Sequence, residues 1–190
     1  NPDLDPFAPG NGATVRIPAS WILPDVTKHN GIVINLSEMR LYYFLNEKKR
    51  VSVMTYPIGM GQEGFDTPVG VFSIIEKKVK PDWHPPASIR NERPELPLVV
   101  PHGPENPLGS HALRLSSGTI LIHGTHRPWG VGRKVSHGCI RLYPEDIPKL
   151  FDAVKSGTRV VIVRQPVKAG VKDNKVYIEV HNDDHDEDLD

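Results

Sequence analysis

From Gly31 onward, apolar and polar positions exchange at short, even intervals, the rhythm of strands rather than of helices. Ile32-Val33-Ile34-Asn35-Leu36 is an almost unbroken apolar run and predicts a buried strand, with Arg40 to Leu45 as its partner across Ser37-Glu38. Val51 to Tyr56 alternates and predicts a half-buried strand. Val69 to Ile75, Leu113 to Leu115 and Thr119 to Ile122 predict further strands, the last of which delivers His123 at its end. Arg159 to Val163 predicts another, and Val167 to Val180 a hairpin around Lys172-Asp173-Asn174-Lys175. One segment has the helical period: Ile147, Leu150, Phe151 and Val154 fall at i, i+3, i+4 and i+7. Asp146 is placed to cap its start, Pro148 lies in the first turn where a missing N–H costs little, and Gly157 fits the position just past its end.

Two stretches break this rhythm. Residues 1–28 are punctuated by proline, with one short alternating run at Thr14-Val15-Arg16-Ile17, and read as an extended linker that Trp21 and Ile22 anchor. Residues 80–109 hold eight prolines, at 81, 85, 86, 94, 97, 101, 104 and 107, and no periodic pattern. An irregular excursion of that length inside a domain tends to be a lid or binding loop. It is therefore expected to wall a cleft, with Trp83 and His84 beside the reacting group; packing for stability alone is the competing expectation. The predicted fold class is mainly β, of sandwich type, with one short α-helix and a long proline-rich loop.

Length and charge narrow the picture further. A chain of 190 residues can bury a sizeable core as one main domain with extensions. The 23 bases and 23 acids cancel, yet residues 183–190 hold six acids and no base, leaving 23 bases against 17 acids, a formal +6, on residues 1–182. A basic body suits a carboxylate-rich substrate. No basic helix is present and no Lys/Arg run exceeds three residues, which argues against nucleic acid. No run of eighteen apolar residues exists, so no transmembrane segment is expected. The chain opens at Asn1 without a leader pattern, as a processed chain would.

The candidate chemistry centres on the only cysteine, Cys139, in Ser136-His137-Gly138-Cys139-Ile140-Arg141. A lone cysteine forms no internal disulfide, so this thiol is either buried filler or a reagent. One thiol with a glycine against it, an arginine just past it and His123 and His137 nearby supplies what cysteine acyl transfer needs. Two rivals exist. His123, His126, His137 and Cys139 could hold zinc, although the spacing matches no familiar structural site and neither Gly138 nor Arg141 serves a metal. Gly59, Gly61 and Gly64 match a dinucleotide fingerprint, but Phe65-Asp66-Thr67-Pro68 follows instead of a helix, so the glycines read as a turn between strands.

His123-Gly124-Thr125, twelve residues, then Ser136-His137-Gly138-Cys139-Ile140-Arg141-Leu142 resembles the signature of the L,D-transpeptidases of bacterial cell walls. Tyr56-Pro57-Ile58-Gly59-Met60-Gly61 with Asp66-Thr67-Pro68-Val69-Gly70-Val71-Phe72, and Asn106-Pro107-Leu108-Gly109 leading to His111–Leu115, resemble two further stretches of that family. The resemblance covers roughly residues 30–165 and is greatest to periplasmic members from Gram-negative bacteria. It implies a catalytic domain at 29–165, preceded by the linker (a lysin-motif junction in related enzymes) and followed by a hairpin at 166–181 and an acidic tail at 182–190. It implies an enzyme of cell-wall biogenesis and cell shape in the periplasm or cell envelope. The donor would be a peptidoglycan stem tetrapeptide attacked at its third residue, usually meso-diaminopimelate, with release of D-alanine. The acceptor would be a lipoprotein lysine, the diaminopimelate of another stem, or water, the last making an L,D-carboxypeptidase. No cofactor is required, and carbapenems are expected inhibitors. A non-enzymatic wall-binding module remains the other class.

The expected roles follow the chemistry. Cys139 is the nucleophile and His123 its base. Gly124 orients the imidazole through its backbone carbonyl. Gly138 turns the chain sharply, and N–H groups of Gly138 and Cys139, with that of His137 as a further candidate, converge on the oxyanion. His137, two positions from Cys139, lines the site. Arg141 either grips a substrate carboxylate or braces the loop. Ser136 is a supporting hydrogen-bonder, and Trp83 and Trp129 contact substrate, with Trp129 and Arg127 on the acceptor side.

Overall fold

The computed structural model describes residues 4–5, 8, 10–17, 20–47 and 50–183. Twelve strands run along these residues: β1 (Gly31–Asn35), β2 (Arg40–Glu47), β3 (Arg50–Pro57), β4 (Met60–Gly61), β5 (Gly70–Val79), β6 (His111–Leu115), β7 (Leu121–His123), β8 (Lys134–Ser136), β9 (Ile140–Arg141), β10 (Arg159–Val163), β11 (Val167–Lys172) and β12 (Lys175–Val180). Helix α1 spans Ala87–Glu92, α2 spans Ile147–Ala153, and a 3₁₀ turn spans Pro128–Gly130.

Eight strands form one sheet in the order β3-β2-β1-β10-β5-β6-β7-β9. Its middle strand, β5, pairs with β10 through residues 70–73 and with β6 through residues 74–79, and the register shifts between Ile74 and Glu76. Such a shift bends a strand, and here it lets both halves of the sheet enclose one core. Ile32, Ile34, Leu41 and Ile162 from the first half join Leu113, Leu115, Ile122 and Ile140 from the second in a single cluster. Helix α2 closes that cluster with Ile147 and Leu150, both fully buried, as its period demands. The sandwich-type, mainly β expectation thus describes the molecule.

Local details differ from the pattern-based reading for identifiable reasons. The chain leaves α2 at Val154 in an extended conformation, so Gly157 is not the helix-terminal residue. With φ +85°, Gly157 instead lies in the turn that leads to β10, and its N–H donates to the Ile74 carbonyl at 2.7 Å. Asp146 does precede the helix, but its carboxylate takes the Lys149 ammonium at 3.0 Å rather than a helix N–H. The proline-rich excursion is not wholly irregular, since it contains α1 and a backbone bridge between Trp83 and Val100. Asn106, fully buried, staples it: its amide donates to the carbonyls of Pro81, Val100 and Pro101 and accepts from Leu108 N–H. The β11–β12 hairpin turns through Asp173 and Asn174, both at positive φ, the geometry that matches the twist of paired strands.

Ile22 is tied by its backbone to the β11–β12 hairpin. Its N–H donates to Glu179 at 3.3 Å, and its carbonyl accepts from the Lys168 ammonium at 2.7 Å. Trp21 packs under the Arg40 guanidinium, whereas Thr14 to Ile17 forms no strand. Lys168 is 4 % exposed and also contacts Glu38 at 2.8 Å and Glu179 at 3.1 Å. Removing one partner from a buried ion pair leaves uncompensated charge. Lys168→Met should therefore lower the unfolding free energy by about 3 kcal/mol, read from urea denaturation. Asp183, the first acid of the tail, is buried between Ser37 and Arg164; residues 184–190 lie outside the described residues. Among the described residues no helix is long and apolar enough to cross a membrane.

Candidate active site

The site is built on one face of the second half-sheet. Antiparallel pairing of β5 with β6 and of β6 with β7, then parallel pairing of β7 with β9, sets residues in rows across the strands. One row runs Lys78, Ala112, His123, Arg141, and the next runs Glu76, Arg114, Leu121. Alternation along each strand turns Ile122 and Ile140 the other way, into the core, where both are fully buried. Cys139 precedes Arg141 by two positions and emerges on the same side as His123. Both line a cleft of about 350 Å³ whose opposite wall is the proline-rich loop, including Trp83, His84, Pro86, Ile89 and Pro107. Gly109, at φ +66°, allows the end of that loop to lie against Gly124 and Thr125, where an added Cβ would come within 2.7 Å of Thr125 N.

The segment around the thiol is fixed by two buried hydroxyls. Thr67 Oγ1 donates to the Gly138 carbonyl at 2.9 Å and accepts from Gly61 N–H at 3.0 Å. Ser136 Oγ donates to the Cys139 carbonyl at 2.5 Å. A trans peptide points each carbonyl opposite to the following N–H, so drawing the Gly138 carbonyl toward buried Thr67 aims the Cys139 N–H away from it. Gly138 adopts φ +91°, a conformation costly for any residue with a side chain. Ser136 is only 2 % exposed, yet it lies in the wall of the cleft. Thr67→Val keeps the shape but strands the Gly138 carbonyl and the Gly61 N–H. It should cost about 1–3 kcal/mol, visible as a lower denaturation midpoint.

His123 is 4 % exposed, and its Nδ1 lies 2.6 Å from the Gly124 carbonyl. A carbonyl only accepts, so Nδ1 carries the proton and Nε2 is left with its lone pair free to accept. Burial, then the nearby Arg141 charge, push the imidazole pKa down to about 3 against the pull of Gly124. Burial likewise raises the Cys139 thiol, while a backbone hydrogen bond at Leu121 and the charges of Arg141 and Arg114 act the other way. At rest the thiol and the imidazole are accordingly both neutral. Arg141 has its own pKa lowered by burial, and its Nε is buried without a partner, so bracing of backbone carbonyls does not account for that atom.

His137 is held by two distant segments. Its Nε2 meets the Glu92 carboxylate of α1 at 3.2 Å and its ring packs on Phe65 at 4.1 Å between centroids. It lines the first cleft and also a second one of about 540 Å³, which shares Trp83, Ile89, Pro107 and Arg141 with the first. Trp129, 61 % exposed, lines only the second cleft, together with Arg127, Arg133 and His126. His123, His126, His137 and Cys139 do not converge on a common point. Among the described residues only Glu38, Glu179 and His181 bring three possible ligand atoms within 4.8 Å, and the Lys168 ammonium already sits on Glu38 and Glu179. Three supporting residues had no assigned role from the sequence: Thr67, Asn106 and Glu92. The first two fall inside the quoted motif stretches, but a buried hydrogen bond to a carbonyl 71 residues away leaves no local pattern.

Comparison with known proteins agrees with this geometry. The family model described as YkuD, L,D-transpeptidase catalytic domain, matches residues 29–162. The chain is 48 % identical to the Escherichia coli K12 protein named probable L,D-transpeptidase YbiS, over 96 % of this chain and 60 % of that protein. It is 44 % identical to the probable L,D-transpeptidase ErfK/SrfK of Salmonella typhimurium, over 95 % of this chain and 59 % of that one. A solved L,D-transpeptidase from Mycobacterium smegmatis superposes with a TM-score of 0.51 at 26 % identity, over 70 % of this chain and 57 % of that one. The chain thus spans about 60 % of the length of these two curated relatives.

Proposed function

Because the chain belongs to the L,D-transpeptidase catalytic-domain family, we propose that Cys139 takes an acyl group from a peptidoglycan stem tetrapeptide and passes it to an amine. His123 Nε2 accepts the thiol proton as sulfur bonds to the carbonyl carbon of the third stem residue. The oxyanion is met by the N–H groups of Gly138 and Cys139, worth on the order of 3 kcal/mol per donor. Collapse breaks the C–N bond, the His123 proton goes to the departing D-alanine amine, and a thioester remains on Cys139. An incoming amine then attacks the thioester, His123 takes its proton, and the sulfur leaves and is reprotonated. Arg141 suits the terminal carboxylate of the donor, one residue beyond the scissile bond.

The observation that carries this reading is the shared cleft of a lone thiol and a neutral imidazole whose Nδ1 is tied to Gly124. The second cleft, joined to the first at His137 and Arg141, favours an amine acceptor over water by offering it a place to bind. Periplasmic location, a lipoprotein lysine as acceptor and carbapenem inhibition belong to the same proposal.

Purified tetrapeptide muropeptides, incubated with and without a peptide ending in lysine and resolved by mass, test it. D-alanine release with formation of the conjugate is expected. Release without any conjugate would make the enzyme a carboxypeptidase, and no release at all would overturn the reading.

A further inference from the structure

The far end of the first cleft carries charges that the transfer chemistry does not use. Glu76 on β5 accepts from Arg114 Nε at 2.8 Å and pairs with Lys78 at 3.2 Å, while Arg114 also donates to the Gly118 carbonyl at 2.9 Å. All three side chains are substantially exposed to the cleft. The two cations hold the Glu76 carboxyl below its usual range, so the group presents one anion between two cations at neutral pH.

The sheet register fixes where this group lies relative to the thiol. Glu76, Arg114 and Leu121 stand in one row on β5, β6 and β7, and Cys139 lies beyond Leu121 on the approach to β9. Neighbouring strands are about 4.8 Å apart, which puts the Arg114 backbone roughly 10 Å from that of Cys139. The intervening floor is apolar Leu121, with Ala112 as the low point of the adjoining row. A donor bound for attack by Cys139, its terminal carboxylate toward Arg141, therefore directs the side chain of its third residue along this floor, away from Arg141. Four carbons reach on the order of 6 Å. What meets such a side chain is an anion and two cations side by side, which complements an ammonium and a carboxylate on one carbon.

Resting on the transpeptidase reading above, we propose that Glu76, with Arg114 and Lys78, is the specificity-determining group that reads the zwitterionic end of the donor's third residue. Glu76 takes the ammonium, and Lys78 and Arg114 take the carboxylate. A lysine side chain, which has only the ammonium, satisfies half of the group.

Three synthetic tetrapeptide donors test this: one with meso-diaminopimelate at the third position, one with its side-chain amine acetylated, and one with its side-chain carboxylate amidated. The readout is kcat/KM for D-alanine release. The wild-type protein should prefer the unmodified donor over either modified one by 10-fold or more. Glu76→Gln should lower kcat/KM for the unmodified donor about 10-fold and bring its ratio to the acetylated donor below about 3. Glu76→Asp should restore part of that ratio. Lys78→Met should compress the ratio to the amidated donor instead. A uniform loss on all three donors, or a wild-type protein that turns them over without preference, overturns the proposal while leaving the transpeptidase reading intact. Failure of that reading is recognised separately, as absence of D-alanine release from every donor.

Discussion

Cys139→Ala should abolish D-alanine release, lowering kcat by at least about 10⁴-fold, because no other thiol exists to carry the acyl group. The fold should survive, since Cys139 is not among the buried core residues and its thiol makes a long contact, 3.9 Å, with the Thr119 carbonyl and one backbone hydrogen bond at Leu121. The variant should therefore melt near the wild-type temperature and still bind stem tetrapeptide. That combination separates the enzymatic account from a wall-binding module, for which the cysteine is irrelevant. Residual turnover within about 10-fold of wild type would place the nucleophile elsewhere.

His123→Gln should cost about 10³–10⁴ in the acylation rate, the upper part of the range for a positioned general base. Glutamine preserves much of the volume but cannot take the thiol proton, and Cys139 is itself held toward the protonated form by burial. The same substitution should change the pH dependence of stability. The imidazole pKa falls from its ordinary 6.5 to about 3 on folding, so the unfolded chain binds the extra proton between those values. Stability from this group is complete above about pH 6.5 and declines as pH falls toward 3, at no more than about 1.4 kcal/mol per pH unit. Urea titrations between pH 4 and 7 should show a shallower slope for His123→Gln than for wild type. Equal slopes would mean that the ring is not buried neutral.

The strands were legible because their signal is local. Ile32 to Leu36 needs only its own composition to declare a buried strand, and α2 only its period. His123 and Cys139 were legible as chemistry because few residue types can act as base and nucleophile. Their shared face was not, since it depends on β7 and β9 pairing in parallel with His123 opposite Arg141. Gly157 was misplaced because a positive-φ glycine marks a turn without saying which one. His137 was read onto the site from its spacing to Cys139, and it does line the cleft. Its orientation is set by Glu92 and Phe65, which come from distant segments. Thr67 teaches the same lesson: a hydroxyl that fixes backbone far away in sequence announces itself only once its partner is known, whereas Ser136, three positions from Cys139, was legible as a supporting hydrogen-bonder.

The most direct measurement is intact-protein mass spectrometry after brief exposure to excess imipenem, followed by peptide mapping. The account predicts one covalent adduct per chain, located on the peptide that contains Cys139, absent from Cys139→Ala and formed far more slowly in His123→Gln. An adduct on any other residue, or an unmodified wild-type protein, would contradict it.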